Sequence, residues 1–138
     1  DASHIFVFCN STKIIGDDID TYIKNKSSIQ NKPISEISGY GDFLKTTLLK
    51  KEHKKVSIWT ANQVYIALSH LMTFCPSIGI DSCPVEGFDS YKYNEILNLN
   101  NRDLNSTVVA AVGYRSNKDS SQYEKKIRKS NDELFETI

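Results

Sequence analysis

The stretch GIDSCPVEGFD, Gly79 to Asp89, decides how this chain is read. An apolar start, Ile78 to Ile80, reads as a short strand. It runs into Asp81, Ser82 and Cys83, and Pro84, Glu86, Gly87 and Phe88 follow at once. A loop leaving a strand sits at a sheet edge, where α/β proteins place ligands. Gly87 lets the backbone approach a flat or charged ligand, or take φ > 0. Pro84 fixes the direction of the chain and removes one donor. The loop can therefore offer backbone N–H groups to an acceptor atom. An ordinary turn, with Asp89 capping a short helix through Leu97, accounts for the same residues.

Two further runs flank this stretch. Ile5 to Cys9 is apolar, aromatic and β-branched, and predicts a strand buried on both faces. Ser106 to Tyr114, STVVAAVGY, predicts a second. Between them, Asp17 to Lys24 can start a helix with acidic residues in its first turn. Lys24 to Ser38 is polar, contains Pro33 and reads as a loop. Asp42 to His53 looks helical. Ser57 is a suitable N-cap for a long helix in which Ala61, Val64, Leu68, Leu71, Met72 and Cys75 keep the helical period until Pro76 and Gly79. Tyr65 and Ala67 widen that stripe, so the helix is expected to be central and buried. Arg115 to Tyr123 reads as a loop, with Arg115 and Asp119 as loop charges. Helices are needed on both sides of such a sheet.

Composition narrows the function classes. The chain has 138 residues, 39% of them hydrophobic and 25% charged, which fits one ordinary globular domain. Lys plus Arg and Asp plus Glu both number 17, so the net charge is zero. There is no global field to draw in nucleic acid or an anionic membrane, and any anion site must be local. Cys9, Cys75 and Cys83 form neither a metal-ligand spacing nor an even disulfide framework, and read as small buried thiols in a reducing compartment. His4, His53 and His70 are scattered, so no metal site is expected.

The basic runs offer local anion sites. In KKIRKS, Lys125 to Ser130, Lys126 and Arg128 are two apart and project to one side of an extended segment. An Arg fork and a Lys point charge converging there suit a phosphate. A solvated basic tail is the alternative. The run KKEHKK, Lys50 to Lys55, could touch nucleic acid, but it lacks interleaved aromatics and reads as a solvated helix end.

The order of these pieces is more specific than any one of them. DASHIFVFC, a helix with W…NQVYIAL, GIDSCPVEGFD, STVVAAVGYRS and Lys-x-Arg together resemble the C-terminal two-thirds of the nitroreductase family, nearest the oxygen-insensitive NAD(P)H nitroreductases and flavin reductases. The resemblance implies an α+β fold, a helix/mixed-sheet/helix sandwich forming an intertwined homodimer. Residues 1–138 would be a single, partial FMN-binding domain whose N-terminal segment is absent, with the family's first helices and an Arg-x-Ser-type phosphate motif. It implies FMN as cofactor, with Pro84, Val85, Glu86 and Gly87 against the flavin and Lys126 and Arg128 on its phosphate. Tyr40 and Phe43 would lie over the substrate pocket. The chemistry implied is a two-step exchange: NAD(P)H passes a hydride to flavin N5, then a nitroaromatic, quinone or flavin takes its place and is reduced. No side chain is required as acid or base. The resemblance also implies a cytoplasmic enzyme without nucleic-acid or membrane partners. The alternative is a non-catalytic fragment that binds little or no FMN.

Overall fold

The computed structural model describes residues 2–138, so Asp1, the first residue of the N-terminal motif, lies outside it. In chain order the elements are β1 (His4–Ser11), α1 (Gly16–Gln30), α2 (Ile34–Leu48), α3 (His53–Ser77), β2 (Asp81–Val85), α4 (Ser90–Ile96), β3 (Leu104–Gly113) and α5 (Asn131–Leu134). The strands form one sheet in the order β1-β3-β2, with both pairings antiparallel. The centre goes to β3 because its run of small and β-branched residues can be covered on both faces. Val108 and Ala110 are fully buried and Val109 nearly so.

A bulge in β3 decides which helix each side chain meets. Phe8 pairs with Val108, but Cys9 pairs with Ser106, leaving Thr107 as the extra residue. An extra residue reverses the alternation of faces beyond it. On one side of the bulge, Val108 and Ala110 pack with Leu68 of α3, and Phe8, Val64, Leu71 and Met72 close around them. Beyond it, Asn105 faces α3 opposite Asn10, and Ser106 turns to α4. There its N–H and hydroxyl both donate to Asn94 Oδ1 at 2.8 Å. Asn94 thus occupies the edge of β3 that β2 is too short to cover.

A chain of amides ties the two helices through this end of the sheet. Asn94 Nδ2 donates to Asn105 Oδ1 at 2.8 Å, and Asn105 Nδ2 donates to Asn10 Oδ1 at 3.2 Å. Asn10 Nδ2 donates to Ser57 O and Thr60 Oγ1 on α3, at 3.2 and 3.1 Å. Asn10 and Asn94 are buried, and such groups are tolerated only when fully paired.

Several expectations change here. The strand at Ile5–Cys9 is present, but β1 is not buried on both faces: Ile5 and Phe6 are exposed, because α3 covers only the end nearer Ser11. Lys24–Ser38 is not a loop. Helix α1 runs to Gln30, Asn31 stops it in the left-handed region at φ 51°, and α2 begins after Pro33. The segment is polar because only a narrow face is buried, with Ile19, Ile23 and Ile37 packing together beside Ile14 and Leu44. The helix placed at Asp42–His53 ends at Leu48. Ser57 does not cap α3, which starts at His53; its hydroxyl accepts from Asn10 instead. Helix α3 is not buried all round. Val56, Leu68 and Cys75 are buried, whereas Trp59, Tyr65, Ile66 and Phe74 are exposed. Its end does follow the sequence: Pro76 lies in the last turn and Gly79 takes φ 70°.

Asn10→Ala removes the middle of the amide chain and leaves buried partners unpaired. It is expected to cost about 2–3 kcal/mol in urea unfolding. Asn62→Ala, on the exposed side of α3, is expected to cause no loss. Equal effects of the two would contradict a structural role for the amide chain.

Candidate functional site

The third strand begins later than the sequence implied. Ile78 and Gly79 belong to the stop of α3, and the strand is Asp81–Val85. Pro84 therefore lies within β2. It is accommodated because β2 is an edge strand. Val85 opposite Val109 is the last pair of the ladder.

Beyond Val85 the loop is held from three directions. The Tyr65 hydroxyl of α3 donates a short hydrogen bond to the Glu86 carboxylate. The Phe88 N–H donates to Glu86 O at 2.9 Å. The Phe88 ring packs edge-on against Tyr93 of α4, with centroids 4.9 Å apart. Asp89 then caps α4, its Oδ1 accepting from Lys92 N–H at 3.1 Å. The turn and cap are thus real, and they leave Gly87 between fixed neighbours. The space around Gly87 is open, and among the described residues its N–H meets no acceptor. The Glu86 carboxylate, as acceptor, pushes the Tyr65 phenol above its ordinary value and keeps it a donor. Glu86 and Phe88 open onto a hollow of about 340 Å³ that also takes in Asn10, Ser57 and Thr107.

The other end of β2 carries the charges. Arg115 grips Asp81 with two parallel hydrogen bonds, one of them Nη2 to Oδ1 at 2.8 Å. Arg115 is therefore not a loop charge but a clamp on the start of β2. Asp119 caps the turn at Ser120–Tyr123, accepting from Ser121 N–H at 2.9 Å. The Arg115 hydrogen bond holds the Asp81 carboxyl below the usual carboxylate range, and the charge of Lys126 adds to this. Lys126 lines a cavity of about 590 Å³ with Asp81, Ser82, Cys83 and Arg115. Arg128 is exposed and donates to Ile127 O at 2.8 Å. Among the described residues, neither Lys126 nor Arg128 pairs with a carboxylate.

The expected site is thus brought together in part. Pro84, Val85, Glu86 and Gly87 are contiguous at one end of β2, Lys126 stands by the other, and Arg128 lines neither cavity. Ser82 and Glu86 are about four strand rises apart, roughly 13 Å. Tyr40 lines a separate apolar cleft of about 450 Å³ with Tyr22, Leu44 and Trp59. Phe43 does not line it. It is exposed and stacks on Tyr40, with centroids 6.3 Å apart. Lys26 Nζ lies 4.4 Å from the Tyr40 ring centre. Tyr65 and Asp81 are site residues that sequence reasoning did not find. Their partners lie 21 and 34 positions away, and no local pattern signals such pairing. The three cysteines are free; Cys75 is buried, but Cys83 is exposed rather than buried. Among the described residues, no cluster of three or more His, Cys, Asp or Glu could hold a metal. No helix among them is long and apolar enough to cross a membrane.

The nitroreductase family model matches residues 29–114. YfkO of Bacillus subtilis, a candidate NAD(P)H nitroreductase, is 32% identical over 124 residues, covering 83% of this chain and 56% of its own. The oxygen-insensitive NAD(P)H nitroreductase of Enterobacter cloacae is 27% identical over 122 residues, covering 86% and 56%. The chain thus spans about half the length of these relatives. A solved structure from Staphylococcus epidermidis, a candidate NAD(P)H:FMN oxidoreductase, superimposes with a TM-score of 0.84 at 12% identity, over 99% of this chain and 62% of that one. At that identity the likeness shows the fold.

The Asp81–Arg115 clamp has a pH signature. The folded-state value of Asp81 is lowered, so its contribution to stability is present above the ordinary carboxylate range of about pH 4 and is lost as pH falls through the folded value. Asp81→Asn is expected to be less stable than the parent at pH 6, with the gap closing on acidification. Melting temperatures from pH 6 to pH 3 test this. A gap independent of pH would show that the pair contributes nothing through its charge.

Proposed function

The chain belongs to the nitroreductase family, and from that premise we propose that it forms the FMN-binding part of an NAD(P)H-dependent oxidoreductase that reduces nitroaromatics, quinones or flavins. The observation that carries this reading is the loop at Glu86–Gly87, beyond the end of an edge strand, where the Gly87 N–H has no acceptor among the described residues and α3 and α4 brace its neighbours.

The donor set suits FMN. Backbone N–H groups at Glu86 and Gly87 would face the pyrimidine edge and N5 of the flavin ring, with Pro84 and Val85 beneath it. Fixed N–H dipoles there would stabilise negative charge on the reduced ring without reorganising. Lys126 and Arg128, cations without carboxylate partners among the described residues of a chain of zero net charge, would hold the phosphate. The length of β2 between Lys126 and Glu86 suits a cofactor with its phosphate and ring at opposite ends. When bound, FMN supplies the redox chemistry, accepting a hydride from NAD(P)H and passing it to the acceptor in a second step. The protein's part is to bind, orient and exclude water. Tyr40 would line the acceptor's approach, with Phe43 supporting it from outside.

We read residues 1–138 as one partial FMN-binding domain. Exposed Trp59, Ile66 and Phe74 along α3 favour an intertwined homodimer whose second subunit covers that face. A cytoplasmic enzyme with small-molecule partners, and none among nucleic acids or membranes, fits the neutral chain.

The full-length protein is expected to purify yellow and to bleach when NADH or NADPH is added without oxygen. A colourless protein that takes up no added FMN would leave the non-catalytic reading in its place. Arg128→Ala is expected to weaken FMN binding by about ten- to a hundred-fold, from the loss of a charge-assisted phosphate contact. Lys129→Ala, as an exposed charge, is expected to cost less than about 1 kcal/mol. FMN titrations at two salt concentrations measure both. Small and equal effects would return Lys125–Ser130 to a solvated tail.

A further inference from the structure

We infer that Tyr65 is a positioning residue for the cofactor loop, acting through the Glu86 carboxylate; this rests on the FMN reading above. The loop needs such a brace for a structural reason. The ladder between β2 and β3 ends at Val85, and β2 is an edge strand with no neighbour on its other side. Pro84, one residue earlier, has no N–H to donate. Gly87, one residue beyond Glu86, has no side chain and open space around it, so it imposes no conformation of its own. Among the described residues, the peptide between Glu86 and Gly87 is held through its carbonyl, by the Phe88 N–H, but not through its own N–H, in the stretch that is asked to present fixed N–H groups.

Two of the loop's restraints come from its far side. Phe88 folds back through its N–H to Glu86 O, and its ring rests on Tyr93 of α4. Among the described residues, the hydrogen bond that reaches the loop from α3 is the one from Tyr65. Helix α3 is in turn fixed to the sheet by Leu68, one turn along from Tyr65, and by the Asn10 amide through Ser57 and Thr60. Tyr65 thus connects a helix anchored to the sheet with the residue whose carbonyl begins that peptide. The bond also directs the Glu86 carboxylate toward α3. Without it, that negative charge is free to swing toward a ring that becomes negative on reduction, an unfavourable approach of like charges. Packing does not explain a tyrosine here, because the residue is 40% exposed. Its hydroxyl is what the position requires, and phenylalanine cannot supply it.

The test is a double-mutant cycle in the full-length protein, read as FMN dissociation constant, with melting temperature as a check on folding. Tyr65→Phe is expected to weaken FMN binding about five- to tenfold, the loss of one exposed hydrogen bond to a charged acceptor. In a Glu86→Ala background the same change is expected to alter binding less than about twofold, because the group through which it acts is gone. Unchanged FMN affinity in Tyr65→Phe, with the parent binding FMN, would overturn this inference alone. An equal loss in both backgrounds would also overturn it, showing that Tyr65 acts by packing. Failure of the parent to bind FMN would overturn the proposed function and this inference with it.

Discussion

The sheet, α3 and α4 are arranged around the burial of β3 between its two antiparallel neighbours. Val108 and Ala110 have no exposed surface, and they are what α3 packs against. The bulge at Thr107 lets the same strand serve a second helix. On one side of it, apolar side chains face α3; on the other, Ser106 faces α4 and Asn105 faces α3. The asparagine chain from Asn94 through Asn105 and Asn10 to Ser57 and Thr60 is the polar consequence of that switch. It satisfies an edge of β3 that no strand covers. The site inherits its geometry from these constraints, because β2 hangs on β3 and the loop after it is braced between α3 and α4.

How much of this could be read from the sequence depends on the range of the interaction concerned. The strand at Ser106–Tyr114 and the Asp89 cap are local patterns, and both are present. The stop of α3 at Pro76 and Gly79 is local too. The burial expected on both faces of β1 is not there, because an apolar run does not say how much of it a helix covers. Lys24–Ser38 misled for a related reason: two helices that pack mainly on each other need only a few isoleucines, so their composition resembles that of a loop. Ser57 had the right chemistry for a cap, but Asn10, 47 residues away, makes another use of it. That a loop at Glu86–Phe88 precedes the Asp89 cap was legible. What holds it was not, since Tyr65 and Glu86 meet only through the packing of α3 on the sheet.

The electrostatics follow the same division. A chain with equal numbers of acidic and basic residues has little long-range field, so its charges act where they are placed. Asp81 and Arg115 neutralise each other at the start of β2, leaving Lys126 beside them without a carboxylate partner of its own among the described residues. The acidic Glu86 is held by a neutral hydroxyl rather than by a cation. That leaves the two ends of β2 chemically distinct, one cationic and one presenting backbone N–H groups. A cofactor with an anionic end and a flat, hydrogen-bonding end fits that polarity.

Hydrogen exchange in the full-length protein, with and without FMN, tests the central claim most directly. The claim is that Glu86–Phe88 and Lys126–Arg128 hold one cofactor between them. The account predicts slowed amide exchange on FMN addition at both segments, with little change at Asn62–Gln63 on the exposed side of α3. Slowing at neither segment, in a protein that does bind FMN, would contradict it.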